Sequence, residues 1–153
     1  MSGPRRIWTV AEANARVPGL TMLIGNQMAR AAEIERRWKR FVTEVGPERA
    51  DFSRLVGQSG AQLAASGDAL PEELELRELL NAYESEWREI EESGVSVKDP
   101  RIGLCDFYGK VEGKPVWLCW RYGETAVDYY HGLEAGFAGR KPITTSAKPR
   151  LLN

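Results

Sequence analysis

Mostly apolar residues recur at alternating spacings of four and three through much of the first 93 residues, the periodicity of helices that each bury one stripe. The stripes are Leu20, Ile24, Gln27, Ala31, Ile34, Trp38, Phe41 and Val45, then Leu76, Leu80, Tyr83, Trp87 and Ile90. They predict helices over about residues 9–45 and 71–93. The first helix is mostly basic near its end and the second mostly acidic, which favours antiparallel pairing as a coiled-coil hairpin. Two independent amphipathic helices packed elsewhere remain the alternative.

Local signals mark the ends of these helices. Thr9 and Glu12 have the spacing of a capping box, in which each side chain accepts a hydrogen bond from the other residue's backbone N–H. Pro71 suits a first helical turn, and Gly94 suits the residue just past a helix end.

The helical pattern is interrupted in two places. Pro18 lies inside the first helix and predicts a kink or a restart there. The segment 46–70 is rich in Gly, Ser and Ala, and we expect a flexible linker with one short helix near Phe52 in its first half.

Composition narrows the function classes. The chain has 153 residues, a net charge of −1 and two cysteines. We therefore expect one small domain without the basic field of a nucleic-acid-binding protein. No apolar run reaches membrane-spanning length and the N-terminus lacks a signal-peptide core, so we expect no membrane partner. Two cysteines without a regular framework favour a reducing compartment, with the cytoplasm as the expected location.

Residues 101–142 differ from the helical part, because they hold both cysteines and the only histidine. Two strand-like runs, 102–108 and 115–121, flank a two-residue turn at Glu112-Gly113. In the resulting hairpin the predicted pairs are Cys105 with Trp120, Asp106 with Cys119 and Phe107 with Leu118. Because side chains alternate between faces, the two cysteines lie on opposite faces and should not form a disulfide.

A second turn, at Gly123-Glu124, predicts a third strand over 125–130. This register places Asp128 beside Cys119 and turns His131 toward the core face, away from Cys119. A slip of one residue would reverse the strand. The predicted architecture is α+β: a long antiparallel two-helix coiled-coil hairpin (1–100), a small three-stranded antiparallel sheet with a Gly-rich C-terminal loop (101–142), and a tail (143–153).

Motifs at both ends of the chain carry a resemblance to a known family. The motifs are Trp8-Thr9-Val10-Ala11-Glu12-Ala13-Asn14 with Pro18, Gly103-Leu104 with Asp106-Phe107, Leu118-Cys119-Trp120, Gly123-Glu124, His131, and Gly136-Phe137-Ala138-Gly139-Arg140 with Pro142. In these the chain resembles a small bacterial family catalogued only as domain of unknown function 2203. The resemblance implies a helical hairpin plus a small sheet, and it implies no reaction.

A metal site is the sharpest chemical hypothesis for the C-terminal part. Asp106, Cys119, Glu124 and His131, with Asp128 beside them, offer oxygen, sulfur and nitrogen ligands that Zn or Fe accepts. The alternative is a buried cysteine, a hydrogen-bonded structural histidine and an aspartate in a turn.

Three further site hypotheses use the same part of the chain. The segment 136–141 could present backbone amides and Arg140 to an anion, the alternative being that Arg140 pairs with an acidic residue of a helix. Cys119, His131 and Asp106 or Asp128 have the composition of a nucleophilic triad. Aromatic residues such as Trp120 could stack a ligand, or form the core of the sheet. The predicted ligand-binding set is Asp106, Trp120, Glu124, His131 and Arg140.

The sequence supports two functions. The first is a binding protein whose helical hairpin supports self-association or holds a protein partner. The second is a metal-binding protein or metal-dependent enzyme that uses the cluster of the C-terminal module.

Overall fold

The computed structural model describes residues 5–143, and in that range the chain has four α-helices and one five-stranded antiparallel sheet. The helices are α1 (Val10–Val45), α2 (Phe52–Val56), α3 (Gly60–Ala65) and α4 (Pro71–Glu92). The strands are β1 (Ser96–Asp99), β2 (Leu104–Val111), β3 (Lys114–Arg121), β4 (Tyr129–His131) and β5 (Lys141–Pro142), in the spatial order β1-β2-β3-β4-β5. The α+β class is confirmed. Of the predicted tail, 143–153, only Ile143 lies within the described residues.

The predicted helix ends are confirmed. Thr9 N donates to Glu12 Oε1 at 2.9 Å, and Glu12 N donates to Thr9 Oγ1 at 3.1 Å, which completes the capping box. Helix α4 begins at Pro71, and Gly94 follows its end with φ +98°. Helix α1 is continuous through Pro18, so the expected restart is wrong. None of the helices described here is both long and apolar enough to cross a bilayer.

The segment 46–70 is more ordered than its composition indicates. Besides α2, which we expected, its second half forms α3, where we expected a flexible linker. Ser59 and Gln62 make a reciprocal capping box at the start of α3. Leu55 and Leu63, one from each short helix, are fully buried. The capping box and the burial of these two leucines stabilise the segment, and its content of Gly, Ser and Ala does not indicate either feature.

Contacts divide the described chain into two compact units, a helical unit (26–86) and a sheet unit (5–25 with 87–143). The core of the helical unit consists of Ile34, Phe41, Leu55, Leu63, Leu76 and Leu80. In this unit Gln27 Nε2 donates to the Tyr83 carbonyl at 2.7 Å, and Arg37 Nε lies 2.9 Å from Glu72 Oε1. The sheet unit takes in the start of α1 and the end of α4.

The β2–β3 hairpin has the predicted register throughout. Cys105 pairs with Trp120, Asp106 with Cys119 and Phe107 with Leu118. Glu112 and Gly113 form the turn with φ +53° and +80°, the conformation of a two-residue type I′ hairpin. Both cysteines are free and buried, as expected from their opposite faces.

The remaining strands differ from the prediction of a three-stranded sheet, since β1 and β5 extend it on either side. The third strand also begins later than predicted, because residues 125–128 run outside the sheet. There Val127 is fully buried, and its N–H donates to Asn14 Oδ1 at 2.7 Å. The chain rejoins β3 only at Tyr129, which pairs with Cys119 in place of Asp128.

This offset of one residue reverses the facing of β4. His131 pairs with Trp117, two positions from Cys119, and therefore lies on the face that carries Asp106 and Cys119. The expectation that His131 points away from Cys119 is wrong, and so is the predicted row of Asp106, Cys119 and Asp128. The corrected register brings the histidine into the candidate site.

Candidate functional site

Three adjacent strands of the sheet unit bring Asp106, Cys119 and His131 together. Asp106 on β2 and Cys119 on β3 are cross-strand partners, and His131 on β4 reaches the same face. One ligand atom of each residue lies within 4.8 Å of the other two. All three residues are at least 97% buried, with relative exposures of 1%, 0% and 3%. The sheet therefore holds three residues capable of ligating a metal at one buried point.

The two ring nitrogens of His131 have different partners. Nδ1 lies 2.9 Å from the Gly132 carbonyl oxygen, which can only accept, so Nδ1 carries a hydrogen. Nε2 lies 2.9 Å from Asp106 Oδ2. Two lone pairs facing each other at this distance would repel, so a proton or a cation must lie between them.

The second carboxylate oxygen of Asp106 is not satisfied. Oδ1 is buried and has no hydrogen-bond partner among the residues that the structure describes. A buried acceptor without a donor costs about 1–3 kcal/mol. A bound cation would satisfy this oxygen, which makes the cluster a candidate metal site.

Burial also controls the ionisation of the cluster. Burial raises the pKa of Asp106 above its ordinary value, although the His131 ring and the neighbouring Cys119 thiol oppose this rise. Burial and then the charge of Asp106 raise the pKa of Cys119 to about 12. Arg140 opposes this shift, since its Nη1 lies 3.8 Å from Cys119 Sγ. At neutral pH the free cluster holds a protonated thiol, which a metal ion would deprotonate on binding.

Glu124 and Arg140 lie beside the cluster and not within it. The Arg140 guanidinium pairs with Glu124 and stacks on the rings of Tyr129 and Phe137, at 3.9 Å and 4.5 Å from their centroids. Glu124 thus fixes Arg140 next to the Cys119 sulfur. Although it was predicted as a metal ligand, it lies outside the cluster of Asp106, Cys119 and His131. The acidic partner of Arg140 belongs to the turn after β3, where the alternative hypothesis expected a helix residue.

Trp120 belongs to the core. Its exposure is 0%, and its indole Nε1 donates to the Glu124 carbonyl oxygen at 2.9 Å. It lies on the face opposite Cys119, beside Cys105. The structure thus leaves Trp120 no accessible surface with which to contact a ligand.

A pocket of about 250 Å³ opens at the Asp106 and His131 end of the cluster. Its lining residues are Lys98, Leu104, Asp106, Trp117, His131, Leu133, Ala135, Gly136 and Phe137. Sequence reasoning missed Lys98, because strand β1 was not predicted, although Val95-Ser96-Val97 after Gly94 has the alternation of a short strand. It also placed His131 on the face opposite Trp117, because the facing of His131 depends on the register of β4.

Comparison with known proteins supports the resemblance found in the motifs. Residues 6–143 match the profile of a family described as an uncharacterized conserved protein, DUF2203. Neither a curated protein nor a solved structure gives a significant match. Since the matched range covers most of the 153 residues, the chain belongs to the DUF2203 family.

Proposed function

We propose that the protein binds one divalent metal ion, Zn²⁺ or Fe²⁺, through Asp106, Cys119 and His131, and that it presents this ion to a ligand in the adjacent pocket. The observation that carries the proposal is the convergence of three buried ligand atoms within 4.8 Å, one of them on a carboxylate with an unsatisfied oxygen. The donor set of oxygen, sulfur and nitrogen suits zinc and iron.

The geometry supports an ion between these atoms. Tetrahedral ligands at bond lengths of about 2.0–2.3 Å lie roughly 3.3–3.7 Å apart. In the cluster, His131 Nε2 and Asp106 Oδ2 are 2.9 Å apart, and no two of the three ligand atoms are more than 4.8 Å apart. Shifts of a few tenths of an ångström to about one ångström would bring these atoms to the tetrahedral spacing. The Gly132 carbonyl already holds His131 in the tautomer that presents Nε2 to a metal.

Three protein ligands leave a tetrahedral ion with one open position. Sites with three ligands and a fourth position for water or substrate are typical of metals that take part in reactions, whereas structural zinc sites have four protein ligands. Asp106 and His131 line the pocket, so the open position would face it. The two free thiols support a reducing compartment, and we place the protein in the cytoplasm as part of this proposal.

Metal titration of the reduced, chelator-treated protein tests this proposal. We expect Co²⁺ to bind with a stoichiometry of one and to give a sulfur-to-metal charge-transfer band, with release of the Cys119 thiol proton. Loss of an outer hydrogen-bond partner of a metal ligand costs about 10–100-fold in affinity. Loss of a ligand itself should cost at least this much, so Cys119→Ser should weaken binding by about 100-fold or more and abolish the band.

The matched control is Cys105→Ser. Cys105 is equally buried but lies on the other face of the sheet, so its replacement should leave the band and the stoichiometry unchanged. Thermal unfolding of both variants separates a metal effect from a loss of fold. Failure of Zn²⁺, Fe²⁺ and Co²⁺ to bind stoichiometrically to the folded protein would disprove the metal site.

A second proposed function is self-association of the helical unit, with α1 and α4 paired as an antiparallel coiled-coil hairpin. The supporting observation is an apolar groove of about 470 Å³ in this unit. It is lined by Ala31, Ile34, Glu35, Trp38, Phe52, Leu80 and Tyr83. An apolar surface of this kind favours association.

We propose a second copy of the chain as the occupant of this groove. Of the described residues that line the groove one is charged, Glu35, and its carboxylate lies 2.9 Å from Lys39 Nζ of the same helix. In a two-fold dimer the same apolar residues of both copies would cover each other, which favours a second copy as the occupant.

Light scattering coupled to size-exclusion chromatography tests the dimer. Ala31→Glu places a charge in the groove and should weaken association by about 100-fold or more, since a buried unpaired charge is costly. Ala32→Glu, at the exposed neighbouring position outside the groove, should leave the dimer intact. A wild-type protein that stays monomeric at high concentration would contradict self-association.

A further inference from the structure

We infer that the pocket above the Asp106–Cys119–His131 cluster binds a small monocarboxylate with an apolar or aromatic body, its carboxylate taking the open position of the metal. The inference rests on the proposed metal site and specifies its ligand. Three observations carry it: the placement of Lys98, the charge of the cluster, and the composition of the pocket wall.

Lys98 reaches the pocket through an irregularity in the sheet. Ser96 pairs with Asp106 and Val97 with Cys105, but the next pair joins Asp99 to Leu104, so Lys98 is an additional residue in β1. Such a bulge changes the direction of a side chain and is common beside functional sites. The Lys98 ammonium lies 4.3 Å from the centre of the Trp117 ring, at the pocket wall.

The charges around the cluster favour an anion. A divalent ion held by one carboxylate, one thiolate and one neutral imidazole forms a site of net charge zero. Arg140 is balanced by Glu124, whereas the exposed Lys98 ammonium adds a positive charge at the pocket wall. The guanidinium groups of Arg5 and Arg121 add to it, at 5.3 Å and 5.9 Å from the ring centres of Trp117 and Phe137. A ligand with one negative charge would bind the metal and neutralise Lys98 together.

The residues of the pocket wall and the pocket volume indicate the polarity and the size of the rest of the ligand. Trp117, Leu133 and Phe137 provide an apolar and aromatic surface beside Lys98. Pockets for drug-sized ligands have volumes of about 300–1,000 Å³. A volume of about 250 Å³ is below this range and accommodates a smaller molecule. A short-chain or single-ring carboxylate fits both the size and the chemistry.

Spectroscopic titration of the Co²⁺-loaded protein with acetate and benzoate tests the inference. We expect each carboxylate to shift the visible d–d bands in a saturable way, with benzoate binding about tenfold more tightly because it buries more apolar surface. Lys98→Met should weaken benzoate binding by about tenfold, the loss of one charge-assisted contact. It should leave the Co²⁺ stoichiometry unchanged. Lys110→Met, an exposed lysine on β2 that does not line the pocket, is the matched control and should bind benzoate like the wild type.

The outcomes separate the two proposals. If Co²⁺ does not bind, the metal site and the carboxylate pocket both fail. If Co²⁺ binds with its charge-transfer band but carboxylates leave the spectrum unchanged, the metal site stands and the carboxylate inference is overturned. Equal affinity for benzoate and for neutral benzamide, or an unaltered affinity in Lys98→Met, would also overturn it.

Discussion

Replacing Gly109 with alanine is expected to lower the free energy of unfolding by about 3 kcal/mol, the upper end of the cost of overpacking a core. A Cβ atom at this position would lie 2.8 Å from the Trp8 carbonyl oxygen and 2.9 Å from Leu118 Cδ1. Trp8 and Gly109 form a parallel bridge, and Trp8 N donates to the Tyr108 carbonyl at 2.7 Å. The methyl group would have to push away this backbone segment or displace Leu118, which is fully buried.

Thermal and urea unfolding measure this effect. A loss of about 3 kcal/mol corresponds to a fall in Tm of about 6–12 °C for a chain of this size. Gly132→Ala is the matched control, because a Cβ there would meet no described atom within 4 Å. Its effect should stay within about 0.5 kcal/mol. Equal stability of the two variants would show that Trp8 does not approach Gly109 as closely as the structure indicates.

The β2–β3 hairpin could be predicted from the sequence because two local signals agree. Glu112-Gly113 determines a two-residue turn, and the alternation of residues on both sides determines which side chains are buried. Strand β4 could not be predicted in the same way. Its register depends on Val127, whose N–H bonds to the side chain of Asn14, 113 residues away in the chain. No local pattern contains this contact.

For the candidate site as well, the residue types could be predicted from the sequence, whereas their positions on the sheet could not. The residue types of the C-terminal part indicated Asp106, Cys119 and His131 as metal-ligand candidates, and the structure brings these three side chains together. The predicted strand, however, separated His131 from the other two. Glu124 had the right chemistry, yet it is held by Arg140 and by the Arg121 N–H, which donates to its Oε1 at 2.7 Å. Lys98 could not be found without the bulge in β1, because the extra residue is visible only once the strand is paired.

Glu73→Gln is expected to destabilise the helical unit by about 3 kcal/mol at neutral pH, since it removes one partner of a buried charge network. The Glu73 side chain is 1% exposed, with Oε1 2.7 Å from Arg49 Nη2 and Oε2 3.3 Å from Arg54 Nε. Its Oε1 also accepts a hydrogen bond from Leu70 N at 2.9 Å. The Arg49 and Arg54 side chains are 34% and 20% exposed to solvent. Water can therefore solvate part of their charge in the variant, which places the loss at the lower end of the usual range of about 3–5 kcal/mol.

The pH dependence of this loss distinguishes a charge effect from a packing effect. Burial alone would raise the pKa of Glu73, but Arg49, the Leu70 N–H and Arg54 together outweigh it and lower the pKa below its ordinary value of 4.5. A carboxyl with a lowered pKa stabilises the fold above its ordinary pKa, and the stability is lost as the pH falls through the lowered value. The difference between wild type and Glu73→Gln should therefore be largest at neutral pH and shrink below about pH 4.5.

Urea unfolding of both proteins across this range measures the difference directly. Glu78→Gln is the control on the same helix, because Glu78 is exposed, and its effect should stay within about 0.5 kcal/mol at every pH. If the difference in the free energy of unfolding between wild type and Glu73→Gln stays the same at acid pH, the loss comes from packing of the amide in place of the carboxylate. A difference that disappears with protonation would assign it to the pairing of the buried charge with Arg49 and Arg54, since the protonated carboxyl and the amide are both neutral and of similar shape.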